Sequence, residues 1–285
     1  MLEISNLHVG FRRPGAPRRE LPAIAVHDVS VVVSPGEIVG LVGESGSGKS
    51  VTCHAALGLL PKTATVAGDV RIDGRSLLGA PRRAWSSMRG TTASIVLQDP
   101  FGALNPLLTV GAQITDAVRA NRHVRTREAR EISRELLRDV GLPDVEQLMR
   151  RYPHELSGGM SQRVVIAIAL SGNPRYLLAD EPTTALDVTV QAQVIELIAR
   201  VAAERDMGVL FVTHDLGVAA ALCDRVVVMQ GGRVVEENDV YRLFSNPTQH
   251  YTRNLLNSLP ARSDRTEFLA AARRDHTPAH SKETT

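Results

Sequence analysis

Eight residues, Gly43-Glu44-Ser45-Gly46-Ser47-Gly48-Lys49-Ser50, constrain this chain more than any other stretch. They follow the apolar run Ile38-Val39-Gly40-Leu41-Val42 and precede Val51 to Leu60, where Val51, Ala55 and Leu59 keep helical spacing. The segment therefore predicts a strand-loop-helix unit carrying a phosphate-binding loop. Glycines let the backbone curl around a phosphate chain without Cβ clashes, and successive N–H groups then point inward at the positive end of the helix. Lys49 adds a mobile positive charge for the β- and γ-phosphates, and Ser50 offers a hydroxyl to Mg2+. With glycine near its average usage, such a pattern arises by chance in a chain of this length roughly one time in a hundred.

Composition narrows the rest. A chain of 285 residues with 43% hydrophobic content can bury one substantial core, or a core and a smaller lobe. The net charge of +2 is too small to make nucleic acid or an anionic membrane the main partner. Lysine occurs only at 49, 62 and 282, so the amine at Lys49 stands out in a chain that otherwise uses arginine. Cys53 and Cys223 lie far apart in apolar periodic segments, which predicts buried thiols in a reducing cytosol and no disulfide framework or metal site. No N-terminal signal pattern is present, and the longest apolar runs, such as Val164 to Leu170, are far too short to span a membrane.

Along the chain, Leu2, Ile4, Leu7 and Val9, then Val29, Val31 and Val33, alternate as strands around an arginine-rich hairpin loop at 12 to 19. Phe11 ends the first strand, where its ring suits either a purine or the core. Val66 to Ile72 with Asp73-Gly74 predicts another strand and turn of the same antiparallel layer, whereas 79 to 92 gives no clear pattern. Ser94 to Gln98 reads as a short strand ending in a polar amide. Thr126 is expected to cap a helix running to about Val140, with Gly141 as its stop, so that residues 104 to 155 form a mainly helical insert. A helix from Ser161 to Ser171 leads into the strand Tyr176 to Asp180, followed by Glu181-Pro182. Helical spacing then runs from Val190 to Val201, Val209 to Thr213 is a buried-type strand, and Gly231-Gly232 marks a hairpin. From about 256 the chain is read as a tail, polar from about 261 and expected to be disordered.

Strands alternating with helices imply a mostly parallel sheet in a three-layer α/β fold, whose ligands bind at the carboxyl ends of strands. Gly43 to Ser50, Gln98, Asp180-Glu181 and His214 all fall there. Asp180 is placed to hold Mg2+ beside Ser50. Glu181 is the candidate base or positioner for an attacking water, Gln98 could sense the metal or the γ-phosphate, and His214 could donate to that phosphate. Ser157-Gly158-Gly159 opens a helix far away in sequence, and its free N–H groups make a second anion site.

These motifs resemble those of the nucleotide-binding subunits of ATP-binding cassette (ABC) transporters. Leu156-Ser157-Gly158-Gly159-Met160-Ser161-Gln162-Arg163 resembles the family signature, Tyr176 to Asp180 the Walker B strand, and Ala185-Leu186-Asp187 the D-loop. The resemblance covers about residues 2 to 255. It implies a P-loop NTPase fold with a small antiparallel β subdomain, a helical subdomain at about 104–155, and one nucleotide-binding domain over 1–255 before the tail at 256–285. It also implies ATP and Mg2+ as ligands, with Phe11, the loop from Gly43 to Ser50, Asp180, Ser157, Gly158, Gly159 and Gln162 around the nucleotide. Ser50, Gln98 and Asp180 would face the metal, and Glu181, Gln98 and His214 would serve catalysis.

In the family the signature reaches ATP on the opposite subunit, so a second ATPase subunit, expected to be a paralogue, must complete the site. Two transmembrane permease subunits and, indirectly, an extracytoplasmic substrate-binding protein are the other implied partners, at the cytoplasmic face of the membrane. Gln98-Asp99-Pro100-Phe101, Tyr152-Pro153-His154-Glu155, and Asn246-Pro247-Thr248 with Tyr251-Thr252-Arg253 resemble di- and oligopeptide importer ATPases. Thr52-Cys53 with Leu57 to Pro61 resembles the nickel and metal-chelate importers of the same subfamily, the alternative reading. A soluble ABC ATPase acting on DNA or ribosomes is a further reading, disfavoured by the single cassette and the lack of a long coiled-coil insertion.

Overall fold

Alternating apolar residues lay down the first sheet. In the computed structural model, which describes residues 1–12, 15, 22–184 and 186–258, β1 (Leu2–Phe11) and β2 (Ala23–Val33) pair antiparallel. Strict alternation would turn Leu7 outward, three positions after Ile4. A bulge at Asn6, with φ +49°, restores it to the core. Asp28, at φ +53°, does the same between Val26 and Val29, and Asn6 Nδ2 donates to Asp28 Oδ1 at 2.8 Å. Most of the predicted arginine-rich loop (13–14 and 16–19), Ala185 and the chain beyond 258 lie outside the described residues.

β3 (Ile38–Val42) is buried on both faces. It feeds α1 (Lys49–Ala56), after which β4 (Ala64–Ile72) joins the free side of β1 and β5 (Arg75–Ser76) completes a four-stranded sheet of order β2-β1-β4-β5. The predicted helix to Leu60 stops at Ala56. Gly58 takes φ +60° against the Trp85 ring, where a Cβ would come within 2.8 Å, and Arg89 collects the carbonyls of Leu57 and Gly58. Trp85 itself lies on α2 (Arg82–Met88), the helix that no sequence pattern announced.

The chain continues through β6 (Ala93–Val96), α3 (Pro100–Ala103), α4 (Val110–Arg122), α5 (Thr126–Asp139), α6 (Val145–Leu148) and α7 (Gly158–Ala169). Two expectations need correction here. Thr126 is the first helical residue and not the cap: Arg125 holds the extended cap position, and no side chain bonds the free N–H groups there. α7 begins at Gly158, three residues before Ser161, because Ser157 caps it by accepting from Met160 N.

Then follow β7 (Tyr176–Asp180), α8 (Val188–Glu204), β8 (Gly208–Thr213), α9 (Leu216–Leu222), β9 (Arg225–Gln230), β10 (Arg233–Asp239), α10 (Val240–Ser245) and α11 (His250–Asn257). The second sheet has order β10-β9-β3-β8-β7-β6, parallel except for the edge pair β9–β10. β3 shows how the layers share it: Val39 and Leu41 pack toward the antiparallel sheet and α1, while Ile38 and Val42 join the core built with α7, α8, α9 and the helical insert. Cys53 and Cys223 are free and buried, one in each core, and burial pushes both thiols up.

The two sheets are tied at Asp73, which accepts from Tyr176 Oη at 3.0 Å and Arg175 Nη1 at 2.7 Å. Burial first, and then the bond to Asp73, push the Tyr176 phenol up to about 12 from 10. The folded protein keeps this proton above pH 10 while the unfolded chain gives it up, so the stability is intact below pH 10 and is lost as pH rises toward 12. Tyr176→Phe is expected to flatten the alkaline fall in unfolding free energy by about 2 kcal/mol over that window. Urea denaturation at stepped pH measures it, and an unchanged slope would contradict the assignment.

Candidate nucleotide site

The phosphate loop is shaped by what crowds it from behind. Gly43 sits at φ +152°, where a Cβ would lie 2.2 Å from Met229 O on β9. Gly48 sits at φ +99°, with a Cβ 2.8 Å from Ala25 O on β2. Both conformation and space demand glycine. The turn between β9 and β10 seats the loop: Gly232 N donates to Ser47 O at 3.0 Å, and Gly232 O accepts from His27 N at 2.7 Å.

Lys49 is 3% exposed, and its Nζ donates to Gly43 O at 2.8 Å and Glu44 O at 2.9 Å. Burial lowers its pKa, against the opposing charges of Glu181 and Asp180. The lysine thus spans the mouth of its own loop, with a carboxylate 3.9 Å away on Glu181 Oε1.

Beneath the loop, β7 ends in Asp180, 4% exposed, whose Oδ1 accepts from Ser50 Oγ at 2.8 Å. His54 lies one helical turn after Ser50, and its Nε2 comes within 3.2 Å of Asp180 Oδ2. The two atoms make a close polar approach without a hydrogen bond. Glu181 turns out of the strand at φ +47°, a left-handed conformation that costs a non-glycine residue about 1 kcal/mol, and its N–H is held by Val212 O at 3.0 Å.

That turn delivers the Glu181 carboxylate to three partners. Oε2 accepts from Thr184 Oγ1 at 3.0 Å and Gln98 Nε2 at 3.3 Å, and lies 3.3 Å from His214 Nδ1. The structure therefore brings Lys49, Gln98, Glu181 and His214 to one point, and Ser50 with Asp180 to a second point beside it. Gln98 reaches its place from two residues beyond β6, not as the strand's last residue. Among the described residues no group of three His, Cys, Asp or Glu could hold a metal by itself. Ser50 and Asp180 offer adjacent hard oxygens, which fits Mg2+, an ion that keeps waters and takes phosphate oxygens as further ligands.

The other predicted residues divide. Glu44, Ser45 and Gly46 are exposed on the loop's rim, while Ser47 is buried with its Oγ unpartnered. Ser157 is exposed and Gly158 and Gly159 are half-buried at the start of α7. A Cβ at Gly159 would come 2.4 Å from Val190 Cγ1, so α8 requires the glycine. Among the described residues no hydrogen bond or ion pair joins Ser157–Met160 to the phosphate loop. Gln162 is a correction: only 1% exposed, it falls on the buried face of α7 and presents no surface to a nucleotide. Phe11 is half-buried at the end of β1, against the core of the antiparallel layer. Sequence reasoning missed Thr184, His54 and the Tyr251 hydroxyl, which accepts from Glu44 N at 3.2 Å. Only His54 carried a signal, its i,i+4 spacing from Ser50 on one helix face.

A glycine-shaped anion loop with a buried carboxylate under it, and a second carboxylate ringed by lysine, glutamine and histidine, belongs to the P-loop nucleotide triphosphatases. A family model described as ABC transporter matches residues 26–184. The chain is 47% identical over 275 residues to a putative peptide import ATP-binding protein of Brucella abortus, covering 94% of this chain and 80% of that one. It is 45% identical over 262 residues to the oligopeptide transport ATP-binding protein AppD of Bacillus subtilis, covering 91% and 78%. A dimeric ATP-binding cassette solved in a post-hydrolysis state with ADP and phosphate superposes with a TM-score of 0.73 at 28% identity, over 84% of this chain and 99% of that one. The chain belongs to the ABC transporter family and is one of its ATP-binding subunits.

Ser50→Ala removes the hydroxyl beside Asp180 and leaves the loop backbone in place. It is expected to abolish most of the gain in ATP affinity that Mg2+ confers, while binding in excess chelator changes by less than about twofold. Titration of a fluorescent ATP analogue with and without Mg2+ reads both.

Proposed function

We propose that this chain is the ATP-hydrolysing subunit of an importer for di- or oligopeptides, acting as a peripheral protein on the cytoplasmic face of the membrane. The observation that carries the hydrolytic part is the Glu181 carboxylate, held between Gln98, Thr184 and His214 within 3.9 Å of Lys49 Nζ. The peptide cargo is supported by relatives at 45–47% identity named for peptide or oligopeptide transport, ahead of the nickel and metal-chelate importers that Thr52-Cys53 with Leu57 to Pro61 resembles.

In this reading the loop from Gly43 to Ser50 and the Lys49 ammonium hold the β- and γ-phosphates. Ser50 and Asp180 hold Mg2+, which when bound neutralises charge on the transferred phosphoryl group. Glu181 orients the attacking water and accepts its proton. Gln98 and Thr184 fix the carboxylate, and His214, half-exposed, turns between Glu181 and the γ-phosphate. Phe11 offers its ring to the adenine. Ser157, Gly158 and Gly159 close over the nucleotide of a second ATPase subunit through the free N–H groups of α7.

Residues 1–255 act as one nucleotide-binding domain, with 104–155 as the helical subdomain that meets the permeases. Leu107, Leu108 and Tyr152 are exposed there, as are Leu97 and Phe101 just before it. No helix among the described residues is long and apolar enough to cross a membrane, and in this reading the two permease subunits form the pore. The binding protein acts through them, and nucleic acid has no part.

Glu181→Gln keeps the hydrogen-bonding shape and removes the base. ATP affinity is expected to stay within about threefold of wild type while kcat falls by about 100-fold or more. A phosphate-release assay beside equilibrium nucleotide binding separates the two quantities, and wild-type turnover in this variant would contradict the assignment. A strong rise in ATPase rate on adding the permeases with a peptide-loaded binding protein, absent with a nickel-chelate-binding one, tests the cargo.

A further inference from the structure

The segment Asn246 to Arg253 resembles the peptide importers in sequence, yet nothing in the hydrolytic chemistry uses it. The structure shows where it goes. Glu236 on β10, 6% exposed, accepts at Oε1 from Thr248 N at 2.7 Å and Thr248 Oγ1 at 2.9 Å, and at Oε2 from Gln249 N at 3.1 Å. These bonds fix the start of α11, where a buried carboxylate collects the free donors before the helix. The next turn brings Tyr251 against the larger core, and its hydroxyl accepts from Glu44 N at 3.2 Å.

Glu44 is the pivot of the phosphate loop. Its carbonyl accepts from Lys49 Nζ at 2.9 Å and from Ser47 N at 3.2 Å. One peptide unit therefore orients the lysine and tightens the loop's turn, and the residue's own N–H is engaged by a side chain 207 positions away. Burial raises the Tyr251 phenol, so the group is a neutral hydroxyl at working pH.

We propose that α11 is a strut of the nucleotide site and Tyr251 a positioning residue, which acts through Glu44 on Lys49 and so sets the affinity of the loop for the nucleotide's phosphates. The inference rests on the loop being the ATP site. It assigns to the C-terminal segment a direct mechanical connection to nucleotide binding, from β10 through Glu236, Thr248 and Tyr251 to the loop. Anything that shifts α11 on β10 would then change ATP affinity without touching the hydrolytic carboxylate.

Tyr251→Phe keeps the ring and removes only the acceptor. The ATP dissociation constant is expected to rise about 2- to 10-fold, the worth of one hydrogen bond, with KM rising in step and kcat at saturating ATP within about twofold of wild type. Amide exchange in the peptide spanning 43 to 48 should quicken in the nucleotide-free variant. Thr248→Val, which removes one of the bonds seating α11, should shift affinity the same way by a smaller factor, and it serves as the test should Tyr251→Phe fail to fold. Unchanged ATP affinity and unchanged exchange in the folded variant would overturn the proposal. A kcat loss with KM unchanged would overturn it too, and failure of the wild type to bind ATP in the same assay would overturn the site itself.

Discussion

A buried ammonium surrounded by oxygens governs this structure. Lys49 is shielded from water almost entirely, and a cation so placed is tolerated only where acceptors and opposite charge meet it. Two loop carbonyls accept its hydrogen bonds, and the carboxylates of Asp180 and Glu181 supply the opposite charge. Those acceptors come from segments more than a hundred residues apart, so the chain must fold in a way that brings them together.

The strand order does this. From β9 across β3, β8 and β7 to β6, every neighbouring pair is parallel, so the carboxyl ends share one edge. The phosphate loop leaves β3, His214 follows β8, Asp180 closes β7 with Glu181 after it, and Gln98 follows β6. Four adjacent strands, β3, β8, β7 and β6, thus present the phosphate loop, His214, the Asp180 and Glu181 carboxylates and Gln98 in that spatial order. The left-handed backbone at Glu181 is local strain accepted to aim that carboxylate back over Lys49.

Much of this was legible in the sequence because it depends on backbone rules. Apolar alternation and apolar runs located the strands, and the rule that ligands bind at strand ends located Gln98, Asp180, Glu181 and His214. What escaped depends on tertiary packing. The stop of α1 at Ala56 is set by Gly58 meeting Trp85, a contact no local pattern contains. The resemblance put Gln162 around the nucleotide, but helical geometry turns it inward while Ser157 stays out. Tyr251 was seen as part of a motif, and only the fold shows its hydroxyl on the loop.

Among the described residues the α7 entrance at Ser157–Gly159 makes no bond to the chain's own phosphate loop, and in the proposed assembly the site of a single chain is half of a larger one. ATP would then join two subunits, each contributing a loop and an α7 entrance. Complementation between two inactive variants tests this most directly. Lys49→Ala removes the loop's cation and Ser157→Arg blocks the α7 entrance, so neither homodimer has a complete site. Mixed, each pair of unlike chains has one intact site, and ATPase activity should return to a substantial fraction of the wild-type rate. Activity in the mixture no higher than in the separate variants, beside an active wild type, would contradict completion of the site by a second copy of the chain.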